Sequence, residues 1–449
     1  MRERARYMRK RLASLQTVLK DLEDKNLINS SDSDLLSRLG VTSRELVKRQ
    51  IIKSKKGGIT IKKKYSPELR SFALTLNFYS AKAYQYVRKT FQTCLPSVKT
   101  LSKWYQTVDG KPGFTKEALI ALKNRTAQFE GQLIGTLVFD EMKIKSKVEY
   151  VPSTQRTFGY VEFGGQIQAD CSKECTEALV LLVVGLNSRF KVPIGYFLTD
   201  GTSAEQKKNL VLQAIDLCYQ SNLLIKAVTF DGCPTNIRMA KLLGCVFSED
   251  NFRTWFNHPT IDNHVYVFLD PVHMLKLVRN SFEFYQQFKN SDGKVIKWEY
   301  IKLLHQLQER EQFHLANKLR LSHIEFKQNV MKVKLAAQLF SRSVATALQF
   351  CHCELKLPEF QDVAATVDML LLINDLFDIL DSRVHGYGFK RALNKDNAPA
   401  VFERLQECKK YILNLSTVIK NKDTKLIKTN RYTGFIGLSI VYWIRCGNL

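Results

Sequence analysis

Leu133-Ile134-Gly135-Thr136-Leu137-Val138-Phe139-Asp140-Glu141 decides how this chain is read, together with its counterpart Leu224-Ile225-Lys226-Ala227-Val228-Thr229-Phe230-Asp231-Gly232. Each is an apolar run of strand length that ends on an aspartate. Such runs are expected to be buried β-strands. In α/β sheets the carboxyl ends of strands are where ligands and catalytic groups collect. Two carboxylates on neighbouring strands can bridge divalent metals, which activate an attacking oxygen and stabilise a leaving one in phosphodiester transfer. Mg2+ (or Mn2+) suits such a site, because it takes carboxylate and phosphate oxygens. Asp140 and Asp231 are therefore the candidate catalytic and metal-binding residues. The competing reading is that each is only a loop or cap residue after a strand.

Working outward, Ala178–Gly185 and Pro193–Leu198 also have strand texture, and a helix is expected from Ala204 to Tyr219. Strands, a helix and a further strand make this an α/β region. From about residue 270 to 420 the helical period dominates, which implies a mostly helical insertion. Upstream, Ser66-Pro67-Glu68 starts a helix with Leu69, Phe72, Ala73 and Leu76 on one face. A second helix is expected near Ala81 to Phe91. A third runs from Ser97 to about Tyr105 and carries Lys99, Lys103 and Trp104. Three short helices with a basic third one have the form of a helix-turn-helix, with Lys99 and Lys103 as candidate DNA contacts.

Residues 1–64 hold 18 Lys/Arg against 7 Asp/Glu. Leu12, Leu15, Leu19 and Leu22 repeat at 3-4-3 spacing, the seam of a short coiled coil that would join two copies of the chain. A helix packed on its own domain fits the same spacing. Lys53 to Gly58 and Lys62-Lys63-Lys64 are expected to form a basic linker. It is a nuclear localisation signal, a phosphate-contacting arm through Lys62, Lys63 and Lys64, or a solvated linker. The expected divisions are 1–64 (basic helix and linker), 65–130 (helix-turn-helix), 131–269 (first part of the α/β core), 270–430 (helical insertion) and 431–449 (return to the core).

The formal charge of +25 and pI near 9.6 point to a polyanionic partner. Lysine and arginine gain affinity by releasing counterions from phosphates. No apolar stretch approaches the roughly 18 residues of a membrane span, so no membrane partner is expected. The ten cysteines are scattered, without zinc-site spacing, and are expected to be reduced thiols.

From Tyr65 onward the chain resembles the P-element transposase family, which includes vertebrate THAP-domain relatives. The segments that carry the likeness are Tyr65-Ser66-Pro67-Glu68-Leu69-Arg70, Leu95-Pro96-Ser97 with Lys103-Trp104-Tyr105, Phe139-Asp140-Glu141-Met142, Phe230-Asp231-Gly232, Asp270-Pro271-Val272-His273-Met274-Leu275-Lys276-Leu277-Val278-Arg279-Asn280 and Phe377-Asp378-Ile379-Leu380-Asp381-Ser382-Arg383. The resemblance implies an α/β RNase H-like core interrupted by a mostly α-helical insertion domain and preceded by a helix-turn-helix region. It makes Asp140 and Asp231 the first two acids of a catalytic triad. It places GTP at the insertion, with Asp270 and Lys276 contacting the nucleotide and Phe377 and Asp378 around the guanine. A lysine is a point charge for phosphate, an aromatic face stacks, and a carboxylate accepts from the guanine N–H edge. No Gly-x-x-x-x-Gly-Lys-Ser/Thr loop is present, so GTP rests on the resemblance alone.

Two family features are not matched. No Cys precedes Cys94 and no His precedes His258, so no zinc-coordinating THAP domain is expected. The third acid, a Glu following the insertion, has no counterpart between Leu438 and Leu449. The expectation is a nuclear transposase derivative that binds DNA (transposon ends or target) and GTP, with impaired strand transfer. The alternative is a non-catalytic DNA-binding regulatory protein built on the same scaffold. A metal-dependent nuclease or nucleotide hydrolase is a third class.

Overall fold

The computed structural model describes residues 40–55, 64–106, 109–152, 155–164, 173–248, 251–382 and 386–440. They fall into two compact units, Met1–Asp109 and Gly110–Leu449. In the first unit, helices α1 (Val41–Lys55), α2 (Pro67–Tyr79), α3 (Ala81–Thr90) and α4 (Val98–Tyr105) follow one another. Serines punctuate them. The side chains of Ser66, Ser80 and Ser97 accept from the amides of Leu69, Ala83 and Thr100, satisfying donors that a helix start leaves open. Leu46, Leu69, Ala73, Tyr84, Leu95 and Leu101 form the core. The Tyr84 hydroxyl donates to the Pro96 carbonyl at 2.6 Å and so ties α3 to the start of α4. Lys53, Ser54 and Lys55, expected in a linker, are the last turn of α1, where Lys53 donates to the Gln92 carbonyl. The polar, basic composition of that helix concealed it. The Leu12–Leu22 seam and Lys62 and Lys63 lie outside the described residues.

The second unit is built on a mixed seven-stranded sheet. Its strands are β1 (Gly113–Phe114), β2 (Leu133–Lys143), β3 (Glu177–Gly185), β4 (Lys191–Thr199), β5 (Leu223–Phe230), β6 (Trp255–Asn257) and β7 (His264–Leu269), in the spatial order β1-β4-β3-β2-β5-β7-β6. β2, β5 and β7 run parallel, and the other pairings are antiparallel. Alternation along β2 buries Leu133, Leu137 and Phe139. Helix α5 (Lys116–Ala127) packs on β4. Helices α6 (Ala204–Gln220) and α7 (Pro234–Leu243) pack on each other, α6 also lying on β5. A capping box at Ser203 and Gln206 starts α6, and Gly244 in a left-handed conformation ends α7.

β2 does not stop at Asp140, as the apolar run implied. It continues to Lys143, because β3 pairs with it throughout, Asp140 opposite Val180. Only its parallel neighbour β5 ends at this level. The β2–β5 register also shifts by one residue: Gly135 faces Ile225 but Thr136 faces Ala227, leaving Lys226 as the extra residue.

After β7 the chain enters α8 (Pro271–Tyr285) and then the insertion. Its strands β8 (Gln287–Lys289), β9 (Val295–Lys297), β10 (Ser416–Ile419) and β11 (Lys422–Lys425) form a second sheet in the order β9-β8-β10-β11. Its main helices are α9 (Glu299–Glu311), α10 (Arg342–Cys353), α11 (Ala364–Leu380) and α12 (Ala398–Asn414). The chain returns in α13 (Thr433–Ile440), which packs along α8. Glycines make that approach close. A Cβ on Gly434 would lie 2.8 Å from Leu277 Cβ and 3.0 Å from the Val278 amide nitrogen. Phe288 of β8 meets Phe435 of α13 edge-on with centroids 5.7 Å apart, so the two sheets share one apolar body.

Phe139 and Phe230 stack with centroids 5.2 Å apart, and both are buried. Phe230→Ala is expected to destabilise this unit by about 3–5 kcal/mol through cavity formation, measured by urea unfolding.

Candidate functional site

Three aspartates fall at one level of the parallel strands β2, β5 and β7: Asp231 and Asp270 just past the ends of β5 and β7, and Asp140 within β2 at the level where β5 ends. Continuing the register past Val138–Thr229 places Asp140 beside Asp231. Leu269 faces Phe230, so Asp270 follows beside Asp231, and the Asp270 amide donates to the Phe230 carbonyl at 2.8 Å. Side chains alternate along a strand. Asp140 therefore projects from the face opposite to Phe139 and Glu141, the face that the start of α8 approaches. Asp140 is exposed, while Asp231 and Asp270 are half-buried.

The three carboxylates are held differently. Among the described residues Asp140 accepts only from the adjacent Glu141 amide at 2.9 Å. Asp231 Oδ1 accepts from the Cys233 amide at 3.0 Å and from Asn236 Nδ2 at 2.7 Å. Asn236 Oδ1 in turn accepts from Lys207 Nζ at 2.7 Å, and Lys207 is ion-paired with Glu141 at 2.7 Å. Asp270 caps α8 by accepting from the Val272 amide at 3.1 Å, and it meets His273 Nδ1 at 2.6 Å. Burial works to raise the Asp270 carboxyl, but His273 and the Val272 amide hold it below the usual carboxylate range. The hydrogen bond to Asp270 raises His273 in return, against the effect of burial.

Lys276 sits one turn along α8 and is 6 % exposed. Burial pushes its ammonium below the usual lysine range, and Asp270, Asp140 and Asp231 oppose that shift. Among the described residues nothing hydrogen-bonds to this ammonium. The structure thus brings Asp140, Asp231, Asp270 and Lys276 to one sheet edge. Phe377 and Asp378 lie elsewhere, on α11. Asp378 accepts from Asn374 Nδ2 at 3.2 Å and Lys390 Nζ at 3.3 Å. Among the described residues no hydrogen bond or ion pair joins Asp378 to Asp270 or Lys276. In the first unit, Lys99 and Lys103 are exposed on α4. Lys64 is exposed too, its carbonyl taken by Arg49.

Asp140 and Asp231 offer hard oxygen donors at one level, and Asp231 Oδ2 accepts nothing among the described residues. Such donors fit a divalent cation. Among the described residues, no three His, Cys, Asp or Glu side chains converge into a metal-holding group. Lys207 and Asn236 were not singled out by sequence reasoning. Their one signal is Asp231-Gly232-Cys233-Pro234-Thr235-Asn236, an acid at a strand end followed by a proline helix start and an amide in the first turn.

Three family models tile the chain: "Transposable element P transposase-like, HTH domain" over residues 21–104, "TNP-like, RNase H N-terminal domain" over 110–244, and "TNP-like, GTP-binding insertion domain" over 272–392. The chain belongs to the P-element transposase family. It is 32% identical over 380 residues to the human "DNA transposase THAP9", covering 83% of this chain and 41% of that protein. It is 29% identical over 327 residues to the Drosophila melanogaster "Transposable element P transposase", covering 70% and 38%. The chain thus spans about two fifths of the length of these curated relatives. The fold matches a chain of the "Drosophila P element transposase strand transfer complex" with a TM-score of 0.66 at 24% identity, over 88% of this chain and 82% of that one. The architecture is that of the family: a helix-turn-helix region, then an RNase H-like α/β core interrupted by a mostly helical insertion. The insertion also carries the small β8–β11 sheet, which helical periodicity did not foresee. Every described cysteine is free, and no described helix is long and apolar enough to cross a membrane.

The Asp270–His273 pair gives a pH test. The raised His273 contributes stability that is full below the unfolded histidine value and is lost as pH rises through its folded pKa. The lowered Asp270 contributes stability that is lost as pH falls through its own folded pKa. NMR titration should place His273 above the roughly 6.5 of a free histidine, and Asp270→Asn should bring it down.

Proposed function

We propose that this chain is a DNA- and GTP-binding transposase derivative with a two-carboxylate divalent-metal centre. The alignment of Asp140, Asp231 and Asp270 at one level of three adjacent parallel strands carries the reading. Asp140 and Asp231 would hold Mg2+ or Mn2+. Held by these carboxylates, such a cation would supply activation of an attacking oxygen and charge stabilisation of a leaving one in phosphodiester transfer. Asp140, with a single backbone donor, keeps most of its lone pairs for a cation.

The insertion would take GTP. Asp270 ends β7 and Lys276 lies on α8, at the junction of core and insertion. Lys276, a buried residue whose ammonium has no hydrogen-bonding partner among the described residues, suits a phosphate. Phe377 offers a stacking face and Asp378 an acceptor for the guanine N–H edge. DNA, as transposon ends or target, would meet α4 through Lys99 and Lys103 and the basic arm Lys62–Lys64. Such partners place the chain in the nucleus. Joining of two copies through Leu12, Leu15, Leu19 and Leu22 belongs to the same proposal.

A second reading, a non-catalytic DNA-binding regulatory protein, is favoured by one observation. Among the described residues no third carboxylate joins Asp140 and Asp231 in a metal-holding group. A strand-transfer assay in Mn2+ separates the two. Activity that disappears in Asp140→Ala supports the enzyme, whereas DNA binding without activity in the unaltered chain supports the regulator. For the DNA contacts, Lys99→Gln with Lys103→Gln should lower the slope of log affinity against log salt by about 2 in duplex titrations. An unchanged slope rules these lysines out as phosphate contacts.

A further inference from the structure

We infer that Asn236 is a positioning residue for the metal centre, fixed by the buried Lys207–Glu141 ion pair, and that it turns Asp231 so that Oδ2 faces the cation. This rests on the metal reading of Asp140 and Asp231 given above. It assigns roles to three residues on three different elements, β2, α6 and α7.

The chemistry of the neighbours fixes the orientation of the Asn236 amide. An ammonium only donates and a carboxylate only accepts. With Lys207 Nζ at 2.7 Å on one side and Asp231 Oδ1 at 2.7 Å on the other, the amide oxygen must face Lys207 and the nitrogen must face Asp231. A flipped amide would set its nitrogen against the ammonium and its oxygen against the carboxylate. Asn236 is 4 % exposed, so water does not offer it another set of partners.

Asp231 Oδ1 is fully engaged as a result. It accepts from Asn236 and from the Cys233 amide at 3.0 Å. These two donors approach from the first turn of α7 and lock the carboxylate against rotation. Oδ2 is the oxygen left for a cation. Groups that orient a metal-ligating carboxylate typically change metal affinity by about 10- to 100-fold when removed.

The same network removes Glu141 from the ligand set. Glu141 follows Asp140 directly and would be an obvious substitute for a third acid. It lies on the other face of β2, with Phe139, and its charge is balanced by Lys207, which is 2 % exposed. A buried lysine needs that partner. Glu141 therefore serves as the counter-ion that balances Lys207 and holds it aimed at Asn236.

The test is Mn2+ binding to the full chain, followed by electron paramagnetic resonance, with thermal unfolding as the fold control. Asp140→Ala and Asp231→Ala test the metal reading. Asn236→Ala should weaken Mn2+ binding by about tenfold or more and change the spectrum of the bound ion. Asn236→Asp is isosteric and keeps an acceptor for Lys207, but it sets an acceptor against Asp231 in place of the donor, and thermal unfolding checks its fold. It should also change the spectrum. If the two aspartate variants lose Mn2+ and both Asn236 variants bind it with unchanged affinity and spectrum, the positioning role is overturned and the metal site stands. If the unaltered chain binds no Mn2+, or both aspartate variants bind it as the unaltered chain does, the metal reading and this inference fall together.

Discussion

The one-residue shift in the pairing of β2 with β5 is the constraint on which the site depends. At the start of the pair, Leu133 faces Leu223. Carried straight on, that register would set Asp140 beside Phe230. The extra residue, Lys226, moves the pairing by one, so that Val138 faces Thr229. Asp140 then falls level with Asp231, and Phe139 stacks on Phe230 beneath them. A one-residue slip in a sheet exchanges the two faces. The shift thus decides whether an acid or a phenylalanine is Asp140's neighbour. Lys226 is anchored outside the sheet by its bond to Asn263 Oδ1 at 2.9 Å, which gives the extra residue a fixed place.

Close packing behind the edge completes the arrangement. Asp270 ends β7 and caps α8, so the third strand end and the first turn of that helix form one rigid joint. α13 then lies on α8 through Gly434 and Gly437. A Cβ at Gly232 would come within 2.8 Å of both Met274 and Thr433. The residue after Asp231 must therefore be small for α8 and α13 to approach at all. The helix that brings Lys276 to the acids and the helix that returns the chain to the core are seated by the same glycine contacts. The insertion leaves from the edge of the site and returns to it.

Much of this was legible in the sequence, for a reason that also marks its limit. Apolar runs ending in Asp140 and Asp231 announced strands and acids, because burial of a strand imposes its pattern locally. The serine starts of α2, α3 and α4 were equally local, and the three helices follow them. The register shift was not legible. Lys226 inside an apolar run is its only trace, and pairing between strands some 90 residues apart leaves no local signature. Lys207 and Asn236 were missed on the same ground, being 29 residues apart with nothing periodic linking them. α1 was hidden because its surface is charged, so that its few buried residues, Leu46 among them, did not form an apolar stripe.

Charge balance explains why the edge holds together before any ligand arrives. Asp140, Asp231 and Asp270 stand at neighbouring strand positions, and like charges there are eased by opposing charge. Two cations answer from opposite faces of the sheet. Lys207 acts on one face at second hand, through Asn236. Lys276 acts on the other through the field of its ammonium, which lies within reach of Asp140, Asp231 and Asp270. His273 neutralises Asp270 directly while it is protonated. Among the described residues no ion-paired cation and no side-chain donor is bonded to Asp140. Its charge is therefore the least compensated of the three, and it is also the most exposed. Asp140 and Asp231 would hold a divalent cation, Asp140 supplying the less compensated charge and Asp231 an oxygen whose orientation is already fixed.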